Sequence, residues 1–339
     1  MELSLTKARF NDLLEHWSGD CVLYAPKLFE HAGSFSDTDQ VRYSPITRAE
    51  DIVFDTKSTF SHKEALLPIT QILFYFTEDV VKEAEMNKQK QIIFLRSCDF
   101  HAIKRLDEIY LKNKFEDIYY KKFRENTKFI VMGCKESFGN CFCVSMNTNT
   151  CTGYDGYLHQ NGDKFEIIIK NSDIVQGFNF EKNETATVTP QFVTENPVVV
   201  NIPEKLDLQN VVKSEMWEEY HNRCIACGRC NFVCPTCTCF STQDIAYTDN
   251  GKVGERRRVW ASCEVDGFTD MAGGHSFREN KGQRMRFKVL HKIYDYKKRF
   301  GYHMCVGCGR CDDVCPEYIS YTNCVNKLNK LEKTTEEVK

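Results

Sequence analysis

This chain of 339 residues lacks most of the common signatures of function. No apolar run approaches the roughly 18 residues that a membrane-spanning helix needs, so no membrane span is expected. Charge of one sign is not in excess: the formal net charge is -3. No global field therefore favours nucleic acid or an anionic surface. No G-x-G-x-x-G follows a strand signal, and neither a G-x-x-x-x-G-K-[ST] loop nor an H-E-x-x-H helix is present. The pair Gly273-Gly274 has no strand signal before it and reads as a loop rather than a phosphate cradle. The opening MELSLTKARFNDLLEHW carries scattered charges and reads as an amphipathic helix, not a signal peptide. A cytoplasmic protein is expected.

What the chain has in abundance is cysteine, 18 in all. A reducing cytosol keeps thiols free, which argues against a disulfide scaffold. Eight of them fall in two copies of one spacing, Cys224-Ile-Ala-Cys227-Gly-Arg-Cys230-Asn-Phe-Val-Cys234-Pro235 and Cys305-Val-Gly-Cys308-Gly-Arg-Cys311-Asp-Asp-Val-Cys315-Pro316. Each is C-x2-C-x2-C-x3-C-P, the run that holds a pair of [4Fe–4S] clusters in two-cluster ferredoxins. Three close thiolates grip three corners of a cubane, and the fourth, before the proline, reaches the other cluster. The expected ligand sets are Cys224, Cys227, Cys230 and Cys315 for one cluster, and Cys305, Cys308, Cys311 and Cys234 for the other. Zinc is the competing reading of clustered cysteines, but a third cysteine followed by C-P is superfluous for a tetrahedral ion.

A mixed α/β domain is expected over residues 1–205. Its signals are a helix at 5–18, a strand at 21–24, and an apolar run at 72–76 that fits either a strand or a buried helical turn. A strand at 91–96, a helix at 101–115 and a strand at 128–132 follow, spaced as a parallel crossover unit. Further strands are expected at 165–169 and, between Pro197 and Pro203, at 198–202. Residues 206–339 read as a second domain, with a linker beginning at 206–208. Helices at 208–220 and 283–299 lead into the two cysteine runs. Seventy residues separate Cys234 from Cys305, which favours a helical ferredoxin arrangement over two abutting halves. The fold class is therefore α+β, an α/β domain followed by a helical dicluster domain. The charged end LNKLEKTTEEVK is expected to fray.

Four cysteines of the first domain form a second constellation. Cys98 and Cys134 each follow a strand of the crossover unit, at the carboxyl edge where α/β proteins place ligands. Cys141 and Cys143 arrive from the next loop. Four converging thiolates suffice for a third [4Fe–4S] cluster; a single zinc ion and inert buried packing are the other readings. Cys237 and Cys239 follow the first run and read as packing, or as groups that tune a cluster without binding iron.

The segments PITQILFYF, FLRSCDFHAIKRLDEIY, GNCFCVSM, CIACGRCNFVCPTCTCF, R-x-W-x-S-C over 258–263 and MAGGH…R resemble the A subunit of anaerobic sulfite reductases. They are similar, less closely, to β subunits of soluble sulfhydrogenase-type hydrogenases. The resemblance runs from about residue 20 to 325. It implies an electron-transfer subunit in a hetero-oligomer, with an NADH-oxidising flavin subunit as donor and a sirohaem subunit that reduces sulfite to sulfide. The eight tandem cysteines match that pattern without departure, and Cys98, Cys134, Cys141 and Cys143 match it directly. A hydrogenase or other flavin-linked reductase is the alternative; a cluster-containing redox sensor or nucleic-acid-binding protein is one of another class. No catalytic acid or base is expected on this chain.

Between Lys281 and Phe300 eight basic residues stand against the single acid Asp295, and Arg256-Arg257-Arg258 adds a second basic run. A solvated face, a docking surface for an acidic partner, and compensation of a negatively charged cluster are the competing readings. His101, His221, His275, His291 and His303 lie near the cysteine regions and are expected in polar or surface roles rather than as ligands.

Overall fold

The computed structural model describes residues 1–35, 37–85 and 89–336. The chain opens with β1 (Glu2–Thr6), a strand the periodicity did not reveal, and enters the helix Lys7–Ser18. Thr6 caps that helix by accepting from the Arg9 amide. β2 (Cys21–Phe29) and β3 (Gln40–Ile46) follow, then β4 (Thr70–Phe76) and β5 (Val81–Glu83). β6 (Lys90–Leu95) leads into the helix Ser97–Tyr110, the helix Ile118–Glu125 and β7 (Thr127–Met132). β8 (Gly156–Asn161) and β9 (Lys164–Ile169) form a hairpin, and much later β10 (Phe240–Ala246) and β11 (Gly254–Trp260) form another.

The chain divides into two units, neither contiguous in sequence. The first comprises Met1–Leu66, Asn87–Val198 and the four residues Val306–Gly309. Its sheet has the order β1-β9-β8-β7-β6-β2-β3, with β2, β6, β7 and β8 parallel. β6 is buried over Gln91–Leu95, as expected of a parallel strand covered on both faces. On one face Phe10, Leu13, Leu14 and Trp17 of the first helix pack on Ile92, Phe94, Ile130 and Met132. Each such large side chain contributes about 1.5–3 kcal/mol by burial. On the other face Phe129 meets Phe100 of the helix Ser97–Tyr110, ring centroids 5.9 Å apart. That helix starts four residues before the expected 101, so Cys98 lies in its first turn rather than at a strand end.

The second unit comprises Leu67–Met86, Val199–Cys305 and Arg310–Lys339. It is not purely helical. The apolar run at 72–76 is a strand, and it leaves the first unit to join a four-stranded sheet of order β10-β11-β4-β5. The expected cut at 205/206 therefore becomes a boundary at Val198/Val199 with two excursions. The expected strand at 198–202 is not formed. Its backbone bonds go to one side chain instead: Asn201 N donates to Asn326 Oδ1, and Asn326 Nδ2 donates to Val199 O.

The expected helix at 208–220 is two helices, Leu208–Lys213 and Met216–Arg223. The one at 283–299 runs as Lys281–Leu290, a π turn His291–Asp295, and Tyr296–Phe300. The end expected to fray is helical from Tyr321 to Glu336; residues 337–339 of it lie outside the described residues. No helix among the described residues is long and apolar enough to cross a membrane.

Candidate metal centre

The helix Met216–Arg223 ends where the Cys224 amide donates to Tyr220 O. The chain then turns sharply, with Ala226 at φ +57 and Gly228 at φ +74, and the Ala226 amide donates to Cys224 Sγ at 3.3 Å. Cys224, Cys227 and Cys230 line one cavity together with Cys311 and Cys315. The wall is completed by the apolar Ile225, Met285, Pro316 and Ile319 and by two buried charged groups, Glu264 and Lys288. The Ile319 amide donates to Cys315 Sγ at 3.3 Å. The last cysteine of the second run thus stands with the first three of the first run, in the second unit. Burial pushes the Cys230 thiol up to about 11 and Cys224 upward as well. Buried thiols of this kind become thiolates only beside compensating positive charge, which bound iron supplies. A soft sulfur donor set in an apolar wall with amides aimed at sulfur fits an iron–sulfur cluster.

The second run is divided between the units. Cys305 follows the Tyr296–Phe300 helix, and its amide donates to Lys292 O at 3.3 Å. Lys292 lies beside Cys234, Cys237 and Cys305, and its Nζ donates to Thr236 Oγ1 at 2.7 Å. Thr236 Oγ1 is in turn 3.4 Å from Cys234 Sγ. Cys311, expected with this second set, lines the first cavity. Val306–Gly309, with Cys308, is embedded in the first unit. There the Phe142 amide donates to Gly307 O at 2.8 Å, Thr148 Oγ1 to Val306 O at 2.7 Å, and Lys57 Nζ to Cys308 O at 3.0 Å. Gly307 sits at φ +67, and a Cβ there would come within 2.6 Å of the Cys143 backbone. Only glycine satisfies both the left-handed conformation and that approach.

Cys98, Cys134, Cys141 and Cys143 are the cysteines expected at a third site. Cys134, Cys141 and Cys143 lie close enough for Cys141 to act electrostatically on both others. Burial pushes Cys143 up to about 12 even though Asn196 Nδ2 donates to its Sγ at 3.6 Å. Lys57 Nζ stands 3.9 Å from Cys141 Sγ. Cys98 packs with Ala102, Val306 and Cys308. Among the described residues no three Cys, His, Asp or Glu side chains converge closely on one point, as the ligands of a single zinc ion must.

Several residues around these thiols were not singled out by spacing. Asn231 Nδ2 donates to Cys263 Sγ at 3.1 Å and to Ser262 Oγ at 2.9 Å. Cys263 also shares a thiol hydrogen bond with Cys239, and Cys237 shares one with Cys234. The arginine run is absorbed by the β10–β11 region: Arg256 pairs with Asp244 at 2.6 Å, Arg257 with Glu255, and Arg258 with Gln71 at 2.7 Å. His101 and His303 engage the backbone carbonyls of Thr150 and Ile293, each at 2.8 Å. In the long basic helix, Lys288 and Lys292 point inward. The signal was legible: Met285, Lys288, Val289, Lys292, Ile293 and Tyr296 form one stripe at helical spacing.

Residues 223–319 match the family model of the 4Fe-4S dicluster domain. This stretch is a 4Fe-4S dicluster domain. The chain as a whole is 28% identical over 310 residues to sulfhydrogenase 2 subunit beta of Pyrococcus furiosus, an alignment covering 85% of this chain and 89% of that protein. No solved structure matches the chain. The dicluster domain falls on the tandem cysteine runs and the hairpin between them. The α/β unit, with Cys98, Cys134, Cys141 and Cys143, lies outside it apart from Val306–Gly309.

Proposed function

We propose that this chain is the iron–sulfur electron-transfer subunit of a soluble, cytoplasmic hydrogenase or other flavin-linked reductase, working in a hetero-oligomer. The observation that carries the reading is the cavity lined by Cys224, Cys227, Cys230, Cys311 and Cys315 within a dicluster domain. Similarity over most of the chain to a protein named as a sulfhydrogenase subunit supports the class of complex. The ligand sets are Cys224, Cys227, Cys230 and Cys315, and Cys305, Cys308, Cys311 and Cys234. The thiols of Cys98, Cys134, Cys141 and Cys143 are the candidate third set.

A bound [4Fe–4S] cluster supplies a one-electron couple whose potential depends on burial, charge and hydrogen bonds to sulfur. The chain's own work is to hold and tune. Amides of Ala226 and Ile319 donate to ligand sulfurs, and apolar walls limit water. No side chain is assigned to bond chemistry, so the substrate is turned over on partner subunits.

The sulfite reading is the second one, favoured by the CPTCTCF and Cys-Asp-x-His-Ala-Ile strings that resemble anaerobic sulfite reductase A subunits. It adds a flavin subunit that oxidises NADH and a sirohaem subunit that reduces sulfite. The two separate on one preparation. The complex, isolated without oxygen and supplied with a reduced viologen dye, should evolve hydrogen; sulfide formation from sulfite without hydrogen would establish the second reading in its place.

A further inference from the structure

Three of the eight basic residues between Lys281 and Phe300, namely Arg284, Lys288 and Lys292, are buried rather than on a solvated face. Lys288 and Lys292 are only 5% and 3% exposed. They stand four residues apart, at the end of the α-helical stretch Lys281–Leu290 and within the π turn His291–Asp295. Helical turns of that kind are frequent at functional sites. Met285, Val289, Ile293 and Tyr296 share the buried stripe, so water cannot screen either ammonium as it would at the surface.

Each lysine addresses a different group of thiols. Lys288 lines the cavity of Cys224, Cys227, Cys230, Cys311 and Cys315, and its charge acts on Cys230. Glu264 and Cys311 are its further charged or ionisable neighbours. Lys292 donates to Thr236 Oγ1, which touches Cys234 Sγ, and lies beside Cys237 and Cys305. A buried ammonium without opposite charge would cost several kcal/mol. The sulfurs gathered at both positions are the groups placed to offset that cost.

We propose that Lys288 and Lys292 set the potentials of the two [4Fe–4S] sites separately, Lys288 acting on the site of Cys224, Cys227 and Cys230 and Lys292 on the site of Cys234 and Cys305. This rests on the dicluster reading above. Adding an electron makes a thiolate-bound cluster more negative. A fixed positive charge buried beside the cluster stabilises the reduced form more than the oxidised form, so the potential rises. Two sites of identical ligand spacing thereby gain independent control, one charge each, from a single helix.

The test is a redox titration, followed by electron paramagnetic resonance, of the oxygen-free complex carrying Lys288→Met or Lys292→Met. Iron and acid-labile sulfide are measured on each sample. Lys288→Met should lower one potential by at least tenfold in the oxidised-to-reduced ratio, about 59 mV for a one-electron couple. Lys292→Met should lower the other. Lys297→Met and Lys298→Met, at exposed positions, should move neither. Fully loaded variants with unshifted potentials, or a common shift of both signals by either variant, overturn the proposal. Wild-type protein without [4Fe–4S] signals would instead defeat the dicluster reading itself. Where a methionine variant does not load, Lys288→Gln and Lys292→Gln are titrated in its place. Failure of all four to load would make the lysines structural and overturn the tuning role.

Discussion

The two cysteine runs have the same spacing and opposite surroundings. In the first loop Ile225 is 56% exposed and Cys227 faces solvent in its unit; in the second the equivalent Val306 is 2% exposed and Cys308 is buried. Ala226 adopts a left-handed conformation at φ +57 where the second run has Gly307. At Gly307 a Cβ would press on the Phe142–Cys143 backbone. Identical ligand spacing fixes how three thiols are presented and leaves the environment free. Burial, charge and hydrogen bonds to sulfur then distinguish the two sites.

The largest effect should come from filling the close approach at Gly307. Gly307→Ala combines positive-φ strain of about 1–2 kcal/mol with overpacking of about 1–3 kcal/mol. It should lower the unfolding midpoint and cut cluster loading, whereas Ala226→Gly should cost no more than about 1 kcal/mol. Thermal unfolding of the two variants with iron analysis checks this. Equal tolerance of both changes would remove the contrast between the loops.

An intermediate effect concerns the thiols that back the buried loop. Iron should approach about 12 per chain if three four-iron clusters are present. Cys143→Ser should reduce it to about 8 while leaving the dicluster signals in place. A wild-type value near 8 that the serine does not change would make Cys134, Cys141 and Cys143 packing residues. The smallest effect is kinetic: an iron chelator should strip the site of the exposed Cys227 loop before that of Cys308. Simultaneous loss, followed by absorbance, would show that exposure of the loop does not control access.

The tandem runs were legible because their spacing is local, each written in a stretch of eleven residues. β6 and β7 were legible for a similar reason, since a fully buried apolar strand declares itself in its own composition. Long-range pairing was not. Nothing within residues 70–76 announces that they pair with β11, nearly two hundred positions away. Nor does the sequence of Val306–Gly309 show that it packs on Phe142 and Thr148. The lysine stripe was visible but read as part of a basic run. Its meaning comes from Met285, Val289 and Ile293 at the intervening helical positions.

In the proposed arrangement the last cysteine of one run completes the site begun by the other. The most direct measurement is the paramagnetic resonance spectrum of reduced Cys315→Ser protein, beside Cys224→Ser and Cys305→Ser as references for the two sites. The account predicts that Cys315→Ser alters the signal that Cys224→Ser alters and leaves the signal of the Cys305 site intact. Alteration of the Cys305 signal alone would contradict it.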